Sequence, residues 1–192
     1  FPIFRILFRG RTYGNENVPQ KGPVVVVANH GSHLDPPFLG HALGRPIAFM
    51  AKEELFEIPI LSFIIRACGA YPVSRGASDR QAIKIATKCL NKGWATGVFL
   101  DGTRQDNGRV NKPLAGAAFL SARTGSVILP VAIVNSHRAL NRGFSLPRLI
   151  PIHLHIGKPI APPKSRKKYD LELVTKQLQT SINSMLDRGL LD

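Results

Sequence analysis

The chain is short of cysteine, of acidic residues and of long apolar runs, and each shortage removes a class of protein. Cys68 and Cys89 are the two cysteines in 192 residues. They stand apart, one ending an apolar run and one in a helix-like segment, so they read as small buried hydrophobes; no disulfide framework or zinc knuckle is expected. Asp and Glu number 12 against 26 Lys and Arg, a formal net charge of +14. That surplus points to an anionic neighbour: nucleic acid, a membrane surface or a phosphorylated substrate. Aromatic residues are 7% of the chain, mainly phenylalanines in apolar runs. A basic nucleic-acid-binding module would carry stacking platforms among its cations, so a nucleic-acid partner is not expected. No apolar run reaches the ~18 to 20 residues of a membrane-spanning helix. No signal-peptide pattern is present. The start, FPIFRILFRG, has no initiator methionine. The chain therefore reads as a fragment or as a processed form, with residues 1–20 as an N-terminal membrane-proximal segment.

With 44% hydrophobic residues, the chain has material for one sizeable core, and 1–192 reads as a single domain. PVVVVANH is a β-branched run without alternation, which suits a strand buried on both faces. DPPFLGHAL reads as a short helix. SDRQAIKIATKCLNKG reads as a helix opened by a Ser-Asp cap and closed by Gly93. ATGVFLD is a strand, PLAGAAFLSARTG a helix ending at Gly125, and SVILPVAIV and RLIPIHLHIGKPI are strands. Leu171, Val174, Leu178, Ile182 and Met185 recur at helical spacing in the last segment. Strands alternating with helices predict an α/β fold: a mixed, largely parallel sheet flanked by helices.

The chemistry concentrates where the valine run ends, in NHGSHLD. His30 lies beyond the strand, where α/β folds place ligand-facing groups. Asp35, accepting a hydrogen bond from one imidazole nitrogen, would fix the tautomer and leave the other nitrogen as a general base. The alternative for Asp35 is helix capping, since Pro36 follows it and Ser32 stands at capping-box spacing. One carboxylate can do both. His30, His33 and Asp35 offer three metal ligands, but no further ligand and no metallohydrolase pattern accompanies them, so no metal is expected. Ser32 is not in a Gly-x-Ser-x-Gly elbow. A base without a protein nucleophile must deprotonate the substrate.

NHGSHLD resembles the Asn-His-x-x-x-x-Asp signature of the glycerolipid acyltransferases, the group that includes lysophosphatidic acid acyltransferase. Three further blocks follow in the family's order. GAYPVSRG is similar to the second block through Gly69 and Arg75. FLDGTR is similar to Phe-Pro-Glu-Gly-Thr-Arg through Phe99, Gly102, Thr103 and Arg104. VILPVAI is similar to the fourth, centred on Pro130. The resemblance covers about residues 20 to 185, the expected core of the domain. It implies that His30 takes the proton of an acceptor hydroxyl as that oxygen attacks an acyl thioester, and that Asp35 stabilises the imidazolium. Arg75 and Arg104 would clamp the acceptor phosphate, with Thr103 and Gly102 beside them. Two departures stand out. Leu100 replaces proline and Asp101 replaces glutamate, so the acid implied to hold the glycerol moiety is one methylene shorter. Leu114 and Ala115 stand where basic residues often precede the next helix, and Lys112 is expected to compensate.

The resemblance implies lysophosphatidic acid as the acceptor, acylated to phosphatidic acid, with glycerol-3-phosphate or another lysophospholipid as the alternative, and an acyl thioester of coenzyme A or acyl carrier protein as donor. No other cofactor is implied. LFEIPILSFIIRACGAYPV carries more apolar surface than a short amphipathic element needs. It reads as an acyl channel, a segment dipping into the bilayer, or a core helix. Together with the basic surplus it predicts peripheral binding to an anionic membrane surface, on the cytoplasmic face or the equivalent face of an organelle.

Overall fold

The structure, a computed structural model, describes residues 2–57, 59–67, 69–73, 79–140 and 147–189. In chain order its elements are α1 (Pro2–Leu7), β1 (Arg11–Tyr13), β2 (Val24–Ala28), α2 (Asp35–Leu43), β3 (Ile47–Lys52), α3 (Pro59–Ala67), β4 (Ala70–Val73), α4 (Asp79–Asn91), β5 (Ala95–Phe99), α5 (Gly116–Thr124), β6 (Val127–Val134), α6 (Ser136–Ala139), β7 (His153–Ile156) and α7 (Lys168–Gly189). The strands form a seven-stranded sheet in the order β1-β7-β6-β2-β5-β3-β4. β2 pairs in parallel with both β5 and β6, whereas β6 and β7 are antiparallel. β1 runs with β7. The sheet is therefore mixed but largely parallel, as the alternation of elements predicts.

The valine run explains the layering. Side chains alternate across a strand, so Val24, Val26 and Ala28 face a layer with Phe38, Leu39 and Leu43 of α2 and with Phe4 and Phe8 from the N-terminus. Val25 and Val27 face the opposite layer, with Leu90 of α4, Leu120 of α5, and Leu178 and Ile182 of α7. All five residues of β2 are buried. A strand covered on both faces needs no polar positions, and each valine contributes roughly 1.5 to 3 kcal/mol by burial. The predicted periodic face of α7 is buried along its length, with Leu186 extending it.

Three expectations shift. The helix predicted from Pro113 begins at Gly116, because the Leu114 N–H is committed to Leu100 O at 2.8 Å. The long strand predicted through 148–160 shortens to His153–Ile156, with an isolated bridge between Ile128 and Ile160. Cys89 is half-buried, and Cys68 lies outside the described residues.

The apolar run of residues 55–73 divides into a 3-10 turn ending at Phe56, then α3, then β4. Phe63 on α3 is 77% exposed and Ile6 on α1 is 72% exposed. The Arg66 guanidinium lies over the Phe56 ring at 5.0 Å. Among the described residues no helix is long and apolar enough to cross a membrane.

The sheet sets one edge for chemistry. His30 follows β2, Asp101 follows β5 and His137 follows β6, all beyond the carboxyl ends of neighbouring parallel strands. Open α/β sheets place ligands at that edge.

Candidate active site

The turn from Asn29 to Asp35 is organised around one carboxylate oxygen. Asp35 Oδ2 accepts the His30 Nδ1–H at 2.7 Å and the backbone N–H groups of Gly31 and Ser32 at 2.8 Å each. Asp35 is fully buried, and three donors on one oxygen offset the cost of burying its charge. Oδ1 is also buried and accepts nothing among the described residues. Of the two roles open at Asp35, orientation of His30 is the one seen: Asp35 is the first residue of α2 and the N-cap of that helix, Leu34, makes no side-chain capping bond, while Ser32 Oγ accepts the Leu34 N–H at 3.2 Å inside the turn. Asp35 Oδ2 orients the His30 ring through Nδ1, so that in the neutral imidazole Nε2 is the nitrogen able to act as a base.

The imidazole is held from its face as well. His30 stacks on Phe99, with ring centroids 3.8 Å apart and planes within 10°. The sheet register produces this contact, because Ala28 of β2 pairs with Phe99 of β5. His30 keeps 16% side-chain exposure while Asp35 keeps none. The pair thus has a buried carboxylate and an imidazole that reaches the surface.

Asn29 ties three segments together. Its Nδ2 donates to Gly108 O at 2.7 Å and to Ile133 O at 2.9 Å, and its Oδ1 accepts the Ile133 N–H at 2.8 Å. The side chain continues the β2–β6 ladder one residue past the strand and fastens the 101–112 loop to it. The loop also donates the Gln105 N–H to His30 O at 2.8 Å.

Asp101 closes that loop from within. Its two oxygens accept the N–H groups of Asn111 at 3.0 Å and Lys112 at 2.9 Å, and the residue is buried. The shorter acid thus holds loop backbone, with both oxygens committed. Gly102 and Thr103 are exposed on the rim and Arg104 is half-buried. The Lys112 side chain is exposed at the loop's far end. α7 supports the loop from outside: Asn183 exchanges two hydrogen bonds with the Val110 backbone, and Arg109 pairs with Asp187. That hydrogen bond raises the Arg109 pKa and holds the Asp187 carboxyl below the usual carboxylate range. Arg75 lies outside the described residues. Gly69 of the same block accepts the Phe49 N–H through its carbonyl at 3.2 Å. His33 is exposed, and among the described residues no three His, Cys, Asp or Glu side chains are grouped to hold a metal.

A family model described as Acyltransferase matches residues 9–134, which include the His30–Asp35 turn, the 101–112 loop and all of β6. The chain belongs to that acyltransferase family. It is similar to a 1-acyl-sn-glycerol-3-phosphate acyltransferase of Borreliella burgdorferi, 25% identical over 180 residues, which cover 91% of this chain and 70% of that protein. It is similar also to the chloroplastic 1-acyl-sn-glycerol-3-phosphate acyltransferase LPAT1 of Arabidopsis thaliana, 30% identical over 146 residues. That match covers 74% of this chain and 40% of the plant protein. The crystal structure of the 1-acyl-sn-glycerophosphate (LPA) acyltransferase PlsC from Thermotoga maritima superposes with a TM-score of 0.82 at 26% identity, covering 95% of this chain and 73% of that one.

In this acyltransferase chain, sequence reasoning found the His30–Asp35 pair but missed what holds it. Asn29 stood in the quoted signature without a role, although an Asn directly after a buried strand signals a side chain completing a backbone ladder. Phe99 was matched only as a motif letter. Its position beneath His30 depends on a strand pairing across about seventy residues, which no local pattern carries.

Proposed function

We propose that the chain transfers a fatty acyl group from an acyl thioester to the free hydroxyl of lysophosphatidic acid, forming phosphatidic acid. The observation that supports this reading is the His30–Asp35 contact at 2.7 Å, in a turn whose His30 backbone is bonded to the loop bearing Gly102, Thr103 and Arg104. The printed activities of the similar proteins supply the substrate class.

His30 Nε2 takes the acceptor hydroxyl proton as that oxygen attacks the thioester carbonyl. The tetrahedral intermediate collapses with cleavage of the carbon–sulfur bond, and the proton passes from His30 to the departing thiolate. The products are a new oxygen ester and a free thiol, with no acyl-enzyme. Asp35 balances the imidazolium during the step; a positioned base of this kind is worth about 10²- to 10⁴-fold in rate. Arg104 and Arg75 are assigned to the acceptor phosphate, for which a planar bidentate fork is suited, with Thr103 adding a hydroxyl and Lys112 a third cation. Asp101 acts on the acceptor by shaping this loop.

The donor is the thioester of coenzyme A or of acyl carrier protein. Exposed Phe63 and Ile6, with the basic surplus, support peripheral association with an anionic membrane on its cytoplasmic face, at about 1 kcal/mol per Lys or Arg close to the surface. A panel of lysophosphatidic acid, glycerol-3-phosphate and uncharged acceptors, assayed with a labelled acyl thioester, tests the proposal. Label is expected chiefly in phosphatidic acid. Thioester hydrolysis without transfer, or a preference for glycerol-3-phosphate, would overturn it.

A further inference from the structure

His137 is the third group at the edge where the catalytic turn and the acceptor loop meet, and nothing in the reaction described above uses it. β6 ends at Val134, Asn135 turns through a left-handed conformation (φ 67°), and α6 then brings His137 back across the strand ends. Two glycines mark where its side chain goes. A Cβ on Gly31, inside the catalytic turn, would lie 2.7 Å from His137 Cβ and 2.8 Å from its backbone nitrogen. A Cβ on Gly108, in the acceptor loop, would lie 2.3 Å from His137 Nδ1. Both distances are below any normal carbon contact, so both segments are glycine where they abut this residue. Gly108 also has φ 67°, whereas Gly31 is absent from the positive-φ residues and is constrained by space alone.

The imidazole makes no hydrogen bond among the described residues, so its contribution is its volume. Burial lowers its pKa, as does Arg138, while Asp35 acts in the opposite direction. At neutral pH the ring is uncharged and leaves the negative charge of Asp35 to His30.

We propose that His137 is a positioning residue for acyl transfer, a neutral wedge between Gly31 and Gly108 that sets the spacing of the His30–Asp35 turn from the 101–112 loop. In this role it acts through the two segments it separates. The wedge matters because base and acceptor site sit on different segments, which the Gln105 N–H to His30 O and Asn29 to Gly108 O bonds hold side by side. Misplacement by about 1 Å between such groups costs on the order of 10²-fold in rate.

Steady-state kinetics of the full chain on vesicle-presented acceptor test the inference, using His137→Ala, His137→Phe, Gly108→Ala and the Gly108→Ala/His137→Ala double variant. His137→Ala should lower kcat about tenfold or more with acceptor KM changed less than about twofold, and His137→Phe, which restores a neutral ring, should recover to within about threefold of wild type. Gly108→Ala should cost about tenfold or more in the wild-type background, where its methyl meets the ring. In the His137→Ala background it should cost less than about threefold, because only the backbone strain remains. Wild-type kcat in His137→Ala, equal impairment in His137→Phe, or the same Gly108→Ala penalty in both backgrounds would overturn the inference. If His137→Ala alone fails to fold, the His137→Phe and Gly108→Ala comparison decides. The inference rests on the reading of His30 as the base: an inactive wild-type chain would defeat that reading, whereas an active wild type with an indifferent His137 would defeat this one alone.

Discussion

The catalytic turn of residues 29–35 and the acceptor loop of residues 101–112 are built on opposite plans. The turn is held by a side chain inside it, since Asp35 binds His30, Gly31 and Ser32, all within five residues. The loop is closed by Asp101 but placed by groups far along the chain: Asn29 and His30 on one side, Asn183 and Asp187 of α7 on the other. A local device orients the Nδ1 side of the base, while Phe99 of the neighbouring strand supports its ring. The loop's position is a property of the whole sheet and of α7.

Substitutions that attack each plan should separate them. The largest effect is expected for Asp35→Asn, which removes the charge that stabilises the imidazolium and permits the wrong tautomer. Turnover should fall by about 10² to 10⁴, with acceptor KM little changed, in steady-state kinetics. A rise in KM with turnover preserved would place Asp35 in the acceptor site.

Asn29→Ala comes next, because it belongs to both plans at once. It removes the partners of the Ile133 N–H and the Gly108 carbonyl, and should destabilise the fold by roughly 2 to 4 kcal/mol in denaturant unfolding. Unchanged stability would mean that the β2–β6 ladder does not need the side chain.

Asp101→Ala is expected to cost about 1 to 2 kcal/mol of stability and to raise the acceptor KM, because two loop N–H groups lose their acceptor. If the carboxylate instead grips the acceptor directly, KM will rise while stability stays constant. The smallest effect is expected for Asp187→Ala. Its ion pair with Arg109 is surface-exposed and screened by salt, so kcat and KM should stay within about twofold of wild type. A larger change would show that α7 controls the loop through this one contact.

The same contrast governs what could be read in advance. The valine run announced a strand buried on both faces, and α7 was legible from Leu171, Val174, Leu178, Ile182 and Met185, because burial repeats with the period of the element. His30 and Asp35 were legible because their contact is local. Asp101 was assigned to the substrate by resemblance, but which way its carboxylate turns depends on where the Asn111 and Lys112 backbone returns. Phe99 under His30 and His137 against Gly31 are contacts between ends of neighbouring strands, set by sheet order and register. The division of the 55–73 run was equally hidden: apolar content alone does not tell one long helix from a turn, a short helix and a strand. Arg75, read from its motif, lies outside the described residues and keeps its assignment as a proposal.

The most direct test of the central claim, that His30 deprotonates the acceptor, compares wild-type and His30→Ala proteins with labelled acyl thioester and lysophosphatidic acid. The account predicts labelled phosphatidic acid from wild type, and loss of transfer by about 10² or more in His30→Ala, with the unfolding transition retained. Transfer by folded His30→Ala protein at a rate close to wild type would contradict it.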